Sequence, residues 1–234
     1  MSACKGALAS DNSRITKSSV KPKVLMLLPD LSWCSPVQGA VALAGHLGKN
    51  GVDVTLGSLE ERGVGTDLIR AELQFLGIDT HCFHLPGLRG VLGVRQVRRY
   101  LREKEFDVVV SYGFRADLMN WALGKAALRV CSIRENYDAW HRRFGWKGIL
   151  AGLLMARIWK DVEGLVTLTQ AMADDLRHNG IRQTPIKVVP NFIDTSAIKR
   201  RLAAEPTQEE TEGLLVGYFG VLENWKRVDV TLEA

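Results

Sequence analysis

Short apolar runs alternate with amphipathic helical patterns from residue 23 onward. KVLMLL at 23–28 is continuously apolar, which is typical of a parallel strand buried on both faces. Regular alternation of strand and helix with short connections predicts an α/β fold, a Rossmann-like doubly wound parallel sheet. The predicted strands are 23–28, 52–59, 78–85, 106–113, 129–133, 164–169 and 186–194, and the predicted helices are 38–49, 65–76, 91–104, 116–126, 141–161 and 170–179.

The polarity of the chain changes at both ends of this alternating region. Residues 1–21 are rich in Ser and Lys and lack the apolar segment of a secretory signal, so they are predicted to be a disordered leader. Residues 22–195 form the predicted main domain. Residues 196–213 are polar and acidic and read as a linker, and 214–234 read as the first strand and helix start of a second domain. The expectation is the front half of a two-domain enzyme, with its second domain truncated.

Composition limits the class of protein to which this chain can belong and the compartment in which it functions. The chain has 46% hydrophobic and 24% charged residues, as soluble globular domains do. Its net charge of +5 is mild and does not indicate a nucleic-acid partner. Four scattered cysteines without a CxxC pair suit a reducing compartment. The most apolar stretch, at 148–156, is shorter than the roughly 20 residues that span a bilayer. A cytoplasmic protein is expected, at most peripheral on the inner face of a membrane.

In an open parallel sheet, ligands bind at the carboxyl ends of the strands. The loop PDLSWCSPVQGA after the first strand offers one glycine, Gly39, beside Gln38 at the start of a helix. It lacks the GxGxxG pattern that cradles a dinucleotide pyrophosphate, so NAD binding is disfavoured. A ligand approaching the helix amino terminus and an ordinary surface loop remain equal alternatives for this segment.

A polar cluster follows the predicted strand at 129–133. Arg134, Glu135, Asn136 and Tyr137 come directly after it, and such side chains grip sugar hydroxyls through paired hydrogen bonds and ring stacking. The alternative is a helix cap with a surface ion pair between the first two. The position at a strand end favours a binding site.

The strand at 106–113 ends in a second polar group. Tyr112 and Arg115 lie there, next to the first cluster if the two strands are neighbours. Arg115 is a candidate phosphate contact, or else it decorates a helix start. His81 and His84 are three residues apart on an extended segment and therefore point to opposite faces, so no metal site is predicted.

Two helical stretches combine basic and aromatic residues, at 94–104 and 139–160. This combination suits docking on an anionic bilayer surface. The alternative is two ordinary helices packed on the sheet, and LLMARI at 153–158 is expected to be core. The membrane interpretation depends on Trp140, Arg142, Arg143, Phe144, Trp146 and Lys147.

Four stretches resemble the glycosyltransferase family 4 enzymes. They are PVQGAVALAGHLGKNGVDVTLGSL, VVVSYGFRADLMNWALGKAALRVCSIREN, VEGLVTLTQAMADDLRHNGI with IKVVPNFID, and LLVGYFGVLENWKRVDVTLEA. The resemblance covers 23–234 and implies the GT-B architecture of two facing Rossmann-like domains. It also implies transfer of a sugar from a nucleotide-diphosphate donor to an acceptor hydroxyl, with retention of configuration and without metal or other cofactor. The implied setting is polysaccharide, lipopolysaccharide or glycolipid synthesis.

The resemblance assigns the first domain mainly to the acceptor and the second to the nucleotide. A lysine at the position of Lys226 would neutralise the donor diphosphate. The implied acceptor-binding residues are Gln38, Gly39, Tyr112, Arg115, Arg134, Glu135, Asn136 and Tyr137, and the implied donor-phosphate residues are Gly220 and Lys226.

This chain departs from the family pattern at several positions. The first-domain histidine is absent, Val221 and Arg227 stand where the family has arginine and glycine, and the donor-binding glutamates would lie beyond Ala234. No catalytic residue is therefore assigned, and these 234 residues alone are expected to turn over poorly. The alternative is a non-catalytic remnant or an acceptor- or membrane-binding module. A GT-B sugar-nucleotide epimerase fits less well.

Overall fold

A computed structural model gives the architecture of the chain. It describes residues 21–61, 65–87, 93–134 and 137–191, together with Thr195, Lys199 and Ala203; for 137–144 it describes the backbone only. The chain divides into two compact units, 1–193 and 194–234. The three single residues belong to the second unit and are helical. Residues 1–20 of the predicted leader and the whole predicted second-domain segment lie outside the described residues, and of the predicted linker only Lys199 and Ala203 are described. The predicted domain boundaries stay predictions.

The described part of the first unit alternates strand and helix as predicted. The strands are β1 (Lys23–Asp30), β2 (Asp53–Glu60), β3 (Asp79–Cys82), β4 (Val108–Tyr112), β5 (Leu128–Ile133), β6 (Gly164–Thr167) and β7 (Ile186–Val188). The helices are α1 (Ser35–Lys49), α2 (Thr66–Phe75), α3 (Val94–Lys104), α4 (Phe114–Ala122), α5 (Tyr137–Asp161) and α6 (Gln170–His178), and a 3₁₀ turn covers Gly124–Ala126.

The seven strands form one parallel sheet in the order β3-β2-β1-β4-β5-β6-β7. The predicted Rossmann-like doubly wound fold is thereby confirmed. The strand order reverses between β1 and β4, which makes a crevice at their carboxyl ends. Tyr112 at the end of β4 pairs with Ser132 near the end of β5, so the polar residues that follow these two strands share one edge of the sheet.

Helices cover both faces of the sheet. The apolar residues of α1 and α2 pack on β1 and β2 in one cluster. The opposite face of β1 and β4 packs on α3 and α4, and β5 and β6 pack on α5 and α6. Leu25, Met26, Leu27 and Leu28 of β1 are completely buried, as a strand covered on both sides requires.

The main differences from the predicted bounds have local causes. Helix α1 begins three residues earlier than predicted, with a proline in its first turn, where the missing N–H costs nothing. Strand β3 stops at Cys82, since His84 adopts φ of 53°, which a strand does not continue. Helix α4 begins directly after Gly113, whose φ of 81° favours glycine. Helix α5 is bent at Gly145, whose φ of 52° and ψ of −134° are not helical.

Candidate functional site

A small cavity of about 40 Å³ lies at the carboxyl ends of β4, β5 and β6, beside the chain that follows β7. It brings together three of the residues predicted to bind the acceptor, Gly39, Tyr112 and Arg134. These three come from α1, β4 and the loop after β5, so only the folded sheet joins them. The remaining lining residues are Leu43, Val110, Ser132, Val166, Val189, Pro190 and Asn191.

Arg134 has neutral partners. Its Nε donates to Ser132 Oγ at 3.1 Å, and its Nη1 donates to Asn191 Oδ1 at 2.5 Å. The centre of its guanidinium lies 5.1 Å from the centroid of the Tyr112 ring, in cation–π range. Among the described residues no carboxylate lies within ion-pair distance of this guanidinium. Within the described residues the charge is thus held in position without a counter-charge, an arrangement suited to an oxygen-rich ligand.

Tyr112 contributes a buried hydroxyl beside the cavity. The residue is 2% exposed, and its hydroxyl has no hydrogen-bond partner among the described residues. Burial raises the pKa of Tyr112 to about 12; nearby Arg134 opposes this rise, although no contact between the two groups has full hydrogen-bond geometry. The hydroxyl is neutral at physiological pH. A ligand oxygen in the cavity would satisfy it.

The amino-terminal part of α1 forms another wall. Gly39 is half-buried in the cavity lining, whereas Gln38 is exposed on the helix. A Cβ added at Gly39 would lie 3.8 Å from Arg134 Nη1 and 3.9 Å from Asn191 Oδ1. The absence of a side chain keeps this space open. Cys34, at the N-cap, makes no side-chain cap, and the first turn carries no acid, so the partial positive charge of the helix terminus is not offset locally.

Arg115 lies apart from this cluster. Its Nη1 bonds to Glu60 Oε1, and its Nη2 donates to Leu85 O at 2.8 Å. These contacts tie the start of α4 to the end of β2 and the segment after β3. Arg115 is not among the cavity-lining residues. A role for Arg115 in acceptor binding stays a prediction, and the contacts give it a structural role as well.

Other predicted site residues are not placed by the structure. Glu135, Asn136, Gly220 and Lys226 lie outside the described residues. Tyr137 is the first residue of α5, and only its backbone is described. The assignments of all five remain predictions.

Asn191 and Ser132 belong to the site but were not among the predicted binding residues. Asn191 lies in the motif VVPNFID, which the sequence analysis used only as a mark of the domain end. Its contact with Arg134 depends on β6 and β7 lying beside β5, an order that the sequence does not state. Ser132 pairs with Tyr112 on the neighbouring strand, so the two side chains lie on the same face of the sheet. The register between β4 and β5, had it been predicted, would have shown that Ser132 belongs to the site.

A second polar cluster lies under the end of β4, completely buried. Ser111 Oγ donates to Asp117 Oδ1 at 2.6 Å, and Trp159 Nε1 donates to Asp117 Oδ2 at 3.3 Å. Asn120 Nδ2 donates to Ser111 Oγ at 3.1 Å. Burial raises the pKa of Asp117 to about 7, against the opposing effect of these hydrogen bonds. Asp117 therefore supports α4 and β4 from inside the domain.

The described residues contain neither a cluster of metal ligands nor a membrane-spanning helix. No group of three His, Cys, Asp or Glu side chains is arranged to hold a metal ion in the parts of the chain that the structure describes. None of the helices described combines the length and apolar content required to cross a membrane.

The fold is an α/β domain with a small cavity at the carboxyl edge of a doubly wound sheet. Residues 36–191 match the Glycosyl transferase 4-like domain, and the chain belongs to this family. The match includes the whole described cavity, from Gly39 to Asn191. A search of curated proteins finds no match.

Solved structures with the same fold include transferases and epimerases. HepE of Anabaena, solved with UDP and glucose, aligns with a TM-score of 0.68 at 15% identity over 91% of this chain and 57% of its own. Sucrose-phosphate synthase of Thermosynechococcus elongatus aligns with a TM-score of 0.59 at 8% identity, over 80% and 53%. UDP-GlcNAc 2-epimerase of Neisseria meningitidis aligns with a TM-score of 0.53 at 13% identity, over 78% and 50%. This chain thus spans little more than half the length of these proteins, and at such identities the likeness shows the fold alone.

Proposed function

We propose that this chain contributes the acceptor-binding domain of a glycosyltransferase that uses a nucleotide-diphosphate sugar and retains the configuration of the sugar. Family membership supports sugar transfer in general. The observation that carries the proposal is the cavity lined by Arg134 and Tyr112. Among the described residues the guanidinium has neutral partners and the Tyr112 hydroxyl has no hydrogen-bond partner. The two groups offer hydrogen-bond donors to the oxygens of a saccharide or phosphate.

In this proposal the roles of the two residues differ. Arg134 is a fixed cation that donates charge-assisted hydrogen bonds to the acceptor, and Tyr112 orients one acceptor oxygen. Gly39 keeps this wall of the cavity free of a side chain, since a Cβ there would already reach van der Waals contact with the guanidinium. Glu135, Asn136 and Tyr137 extend the acceptor site along the chain after β5, and Gly220 and Lys226 contact the donor phosphates. No metal or other cofactor takes part.

The acceptor is proposed to be a polysaccharide, lipopolysaccharide or glycolipid precursor, and the place of reaction the cytoplasmic side of a membrane. UDP-sugars are the first donors to test, since HepE was solved with UDP and glucose. An anionic membrane surface is included among the partners, because a lipid-linked acceptor is presented there. No nucleic-acid partner is proposed.

The test starts from the endogenous protein. Its mass is measured by immunoblot, and the native form is then incubated with labelled nucleotide sugars and acceptor extracts of its own cells. Label in a saccharide or glycolipid product supports the proposal. Saccharide binding without label transfer for any nucleotide sugar supports instead a non-catalytic binding module, and conversion of the free nucleotide sugar to its epimer supports an epimerase.

Substitutions in the cavity test the site itself. Arg134→Gln removes a charged hydrogen-bond donor worth about 1.5–3 kcal/mol, so the KM for the acceptor should rise roughly tenfold to a hundredfold. Tyr112→Phe removes a hydroxyl without a partner in the described residues, so transfer should weaken while stability is kept. Arg99→Gln, at an exposed position of α3, is the matched control. Equal acceptor KM for all three variants and the unmodified protein would contradict the site.

A further inference from the structure

Helix α5 has two apolar faces after its bend at Gly145. One face belongs to the core, where Met155, Ile158 and Trp159 pack with β5, β6 and α6. Gly148 and Gly152 lie on the same side and are buried too. A helix of an ordinary globular domain needs only one such apolar face, with polar residues opposite. The second apolar face of α5 therefore requires an explanation.

The second face is exposed to solvent. Trp146 is 68% exposed, Leu150 58% and Leu153 60%, and Ile149 and Leu154 are also exposed. Their spacing of three and four residues places them on one side of the helix. These five residues form the exposed α5 face, and they are half of the ten large apolar side chains that are exposed in the described residues. Scattered exposed apolar residues are normal, but a contiguous patch marks an interaction site.

The charged residues in the middle of α5 are all basic, and the two aspartates of the helix lie at its ends, at Asp138 and Asp161. Between residues 139 and 160 the sequence has no Asp or Glu and five Lys or Arg residues. Three of these, Lys147, Arg157 and Lys160, are described, and all three are exposed. The Lys147 ammonium lies 5.8 Å from the Trp146 ring centroid, as a lysine at the edge of an aromatic anchor does.

We propose that the exposed α5 face docks on an anionic lipid surface, with the helix lying along the membrane plane. Leu, Ile and Trp side chains would enter the boundary between headgroups and acyl chains, while the basic residues contact anionic headgroups. A second copy of the chain is the less suitable occupant. A symmetric dimer through this face would bring two clusters of positive charge together, whereas anionic lipid neutralises them.

The position of α5 connects this surface with the proposed acceptor site. Helix α5 follows β5, whose carboxyl end carries Arg134, so the exposed α5 face and the cavity belong to consecutive elements. This connection rests on the proposed function, because it assumes a lipid-linked acceptor. The docking itself requires no catalytic activity and is tested without it.

The test measures binding of the chain to vesicles by co-sedimentation. Vesicles of neutral phosphatidylcholine are compared with vesicles in which about one third of the lipid is anionic phosphatidylglycerol. The chain should bind the anionic vesicles, and added salt should weaken binding. The double variant Leu150→Glu/Leu153→Glu should bind at least about tenfold more weakly, since it places two carboxylates in the contact.

A matched control is available on α2. Leu68 and Phe75 are large, apolar and at least as exposed as Leu150 and Leu153, so Leu68→Glu/Phe75→Glu places two carboxylates on exposed apolar positions elsewhere in the chain. This control should bind as the unmodified chain does. Because all four substituted side chains are exposed, both variants should fold, and circular dichroism checks this. In the unmodified chain, brominated lipid should quench tryptophan fluorescence, and Trp146→Phe should reduce that quenching.

Three results would overturn the proposal. One is no binding to anionic vesicles, and another is an equal loss of binding in the α2 control. The third is a concentration-dependent dimer that the α5 variant abolishes, because the face would then belong to a second copy. Failure of docking while the native protein still transfers sugar to a soluble acceptor would leave the proposed function standing. Docking of the chain on anionic vesicles, without sugar transfer by the native protein, would support the docking surface and contradict the proposed function.

Discussion

The buried carboxyl of Asp117 should make the stability of the domain depend on pH. Its folded-state pKa is raised from 3.8 to about 7, first because of burial. Between these two values the unfolded chain has an ionised Asp117 while the folded domain holds it protonated. Unfolding therefore becomes easier as the pH rises from about 4 to about 7, and the stabilising contribution that is complete below pH 4 is lost above the folded pKa.

The size of the effect follows from the shift. A difference of about three pKa units corresponds to about 4 kcal/mol, since each unit is worth about 1.4 kcal/mol. No solvent screening reduces this value, because Asp117 is completely buried among Ser111, Cys131 and Trp159. The unfolding free energy should therefore fall by about this amount between acidic and neutral pH.

The variant Asp117→Asn keeps the shape of the side chain and does not titrate. The unfolding free energy of the variant should lack the pH dependence that Asp117 causes. As the pH rises from 4 to 7.5, the variant should therefore become more stable relative to the unmodified chain, by up to about 4 kcal/mol. Urea unfolding followed by tryptophan fluorescence at several pH values measures this difference, with Trp159 next to the substituted site. Asp53→Asn, at an exposed position, is the control for loss of one carboxylate.

Parallel stability curves for Asp117→Asn and the unmodified chain across this pH range would refute the reasoning. A gain in stability of the unmodified chain relative to the variant as the pH rises would refute it too, because the folded domain would then stabilise Asp117 as a carboxylate. Asp53→Asn should run parallel to the unmodified chain.

Further predictions concern packing and a thiol. Gly57→Ala should destabilise the domain by about 1–3 kcal/mol, because the new Cβ would lie 2.9 Å from Leu25 Cδ1 and 3.2 Å from Phe83 Cε2; thermal unfolding measures the loss. Gly48→Ala meets no atom within 4 Å in α1 and should add up to about 1 kcal/mol in the same assay, and a loss would contradict the packing argument. Cys131 is buried with a raised pKa and should resist a thiol reagent in the folded protein, whereas partly exposed Cys34 and Cys82 react; mass spectrometry locates the label, and early labelling of Cys131 would count against the core.

The hydrophobic pattern was sufficient for the order and type of the elements in the described region. A continuous apolar run such as β1 is typical of a strand in a parallel sheet, and β1 is indeed buried on both faces. Element ends were less predictable, since they depend on single backbone conformations such as φ of 81° at Gly113 or 53° at His84. The sequence shows which residues are glycine but not which of them must adopt such a conformation.

Helix α5 shows a different limit of sequence reasoning. Met155 and Ile158 are buried as expected, but the expectation that Leu153 and Leu154 also belong to the core was wrong. A helix that is apolar around most of its circumference gives no periodic signal for the face that meets the sheet. The structure resolves this through the described neighbours of α5, which pack on the side that carries Met155 and Ile158. The membrane interpretation rested on six residues, of which only Trp146 and Lys147 have described side chains. The exposed α5 face adds apolar residues to it, and it stays a proposal.

The two arginines at opposite ends of β5 show why the site could be predicted only in part. Arg129 Nη2 donates to Glu163 Oε1 at 2.7 Å and to Asp161 O at 2.6 Å, so its charge is balanced and its role is to hold β5 and the end of α5 together. Arg134 has the amide oxygen of Asn191 in a comparable place. A neutral amide positions a guanidinium without cancelling its charge, and this leaves the cation available to a ligand. In the sequence both residues are merely arginines flanking a strand. The distinction comes from the carboxyl edge of the sheet, where the described residues provide no counter-charge.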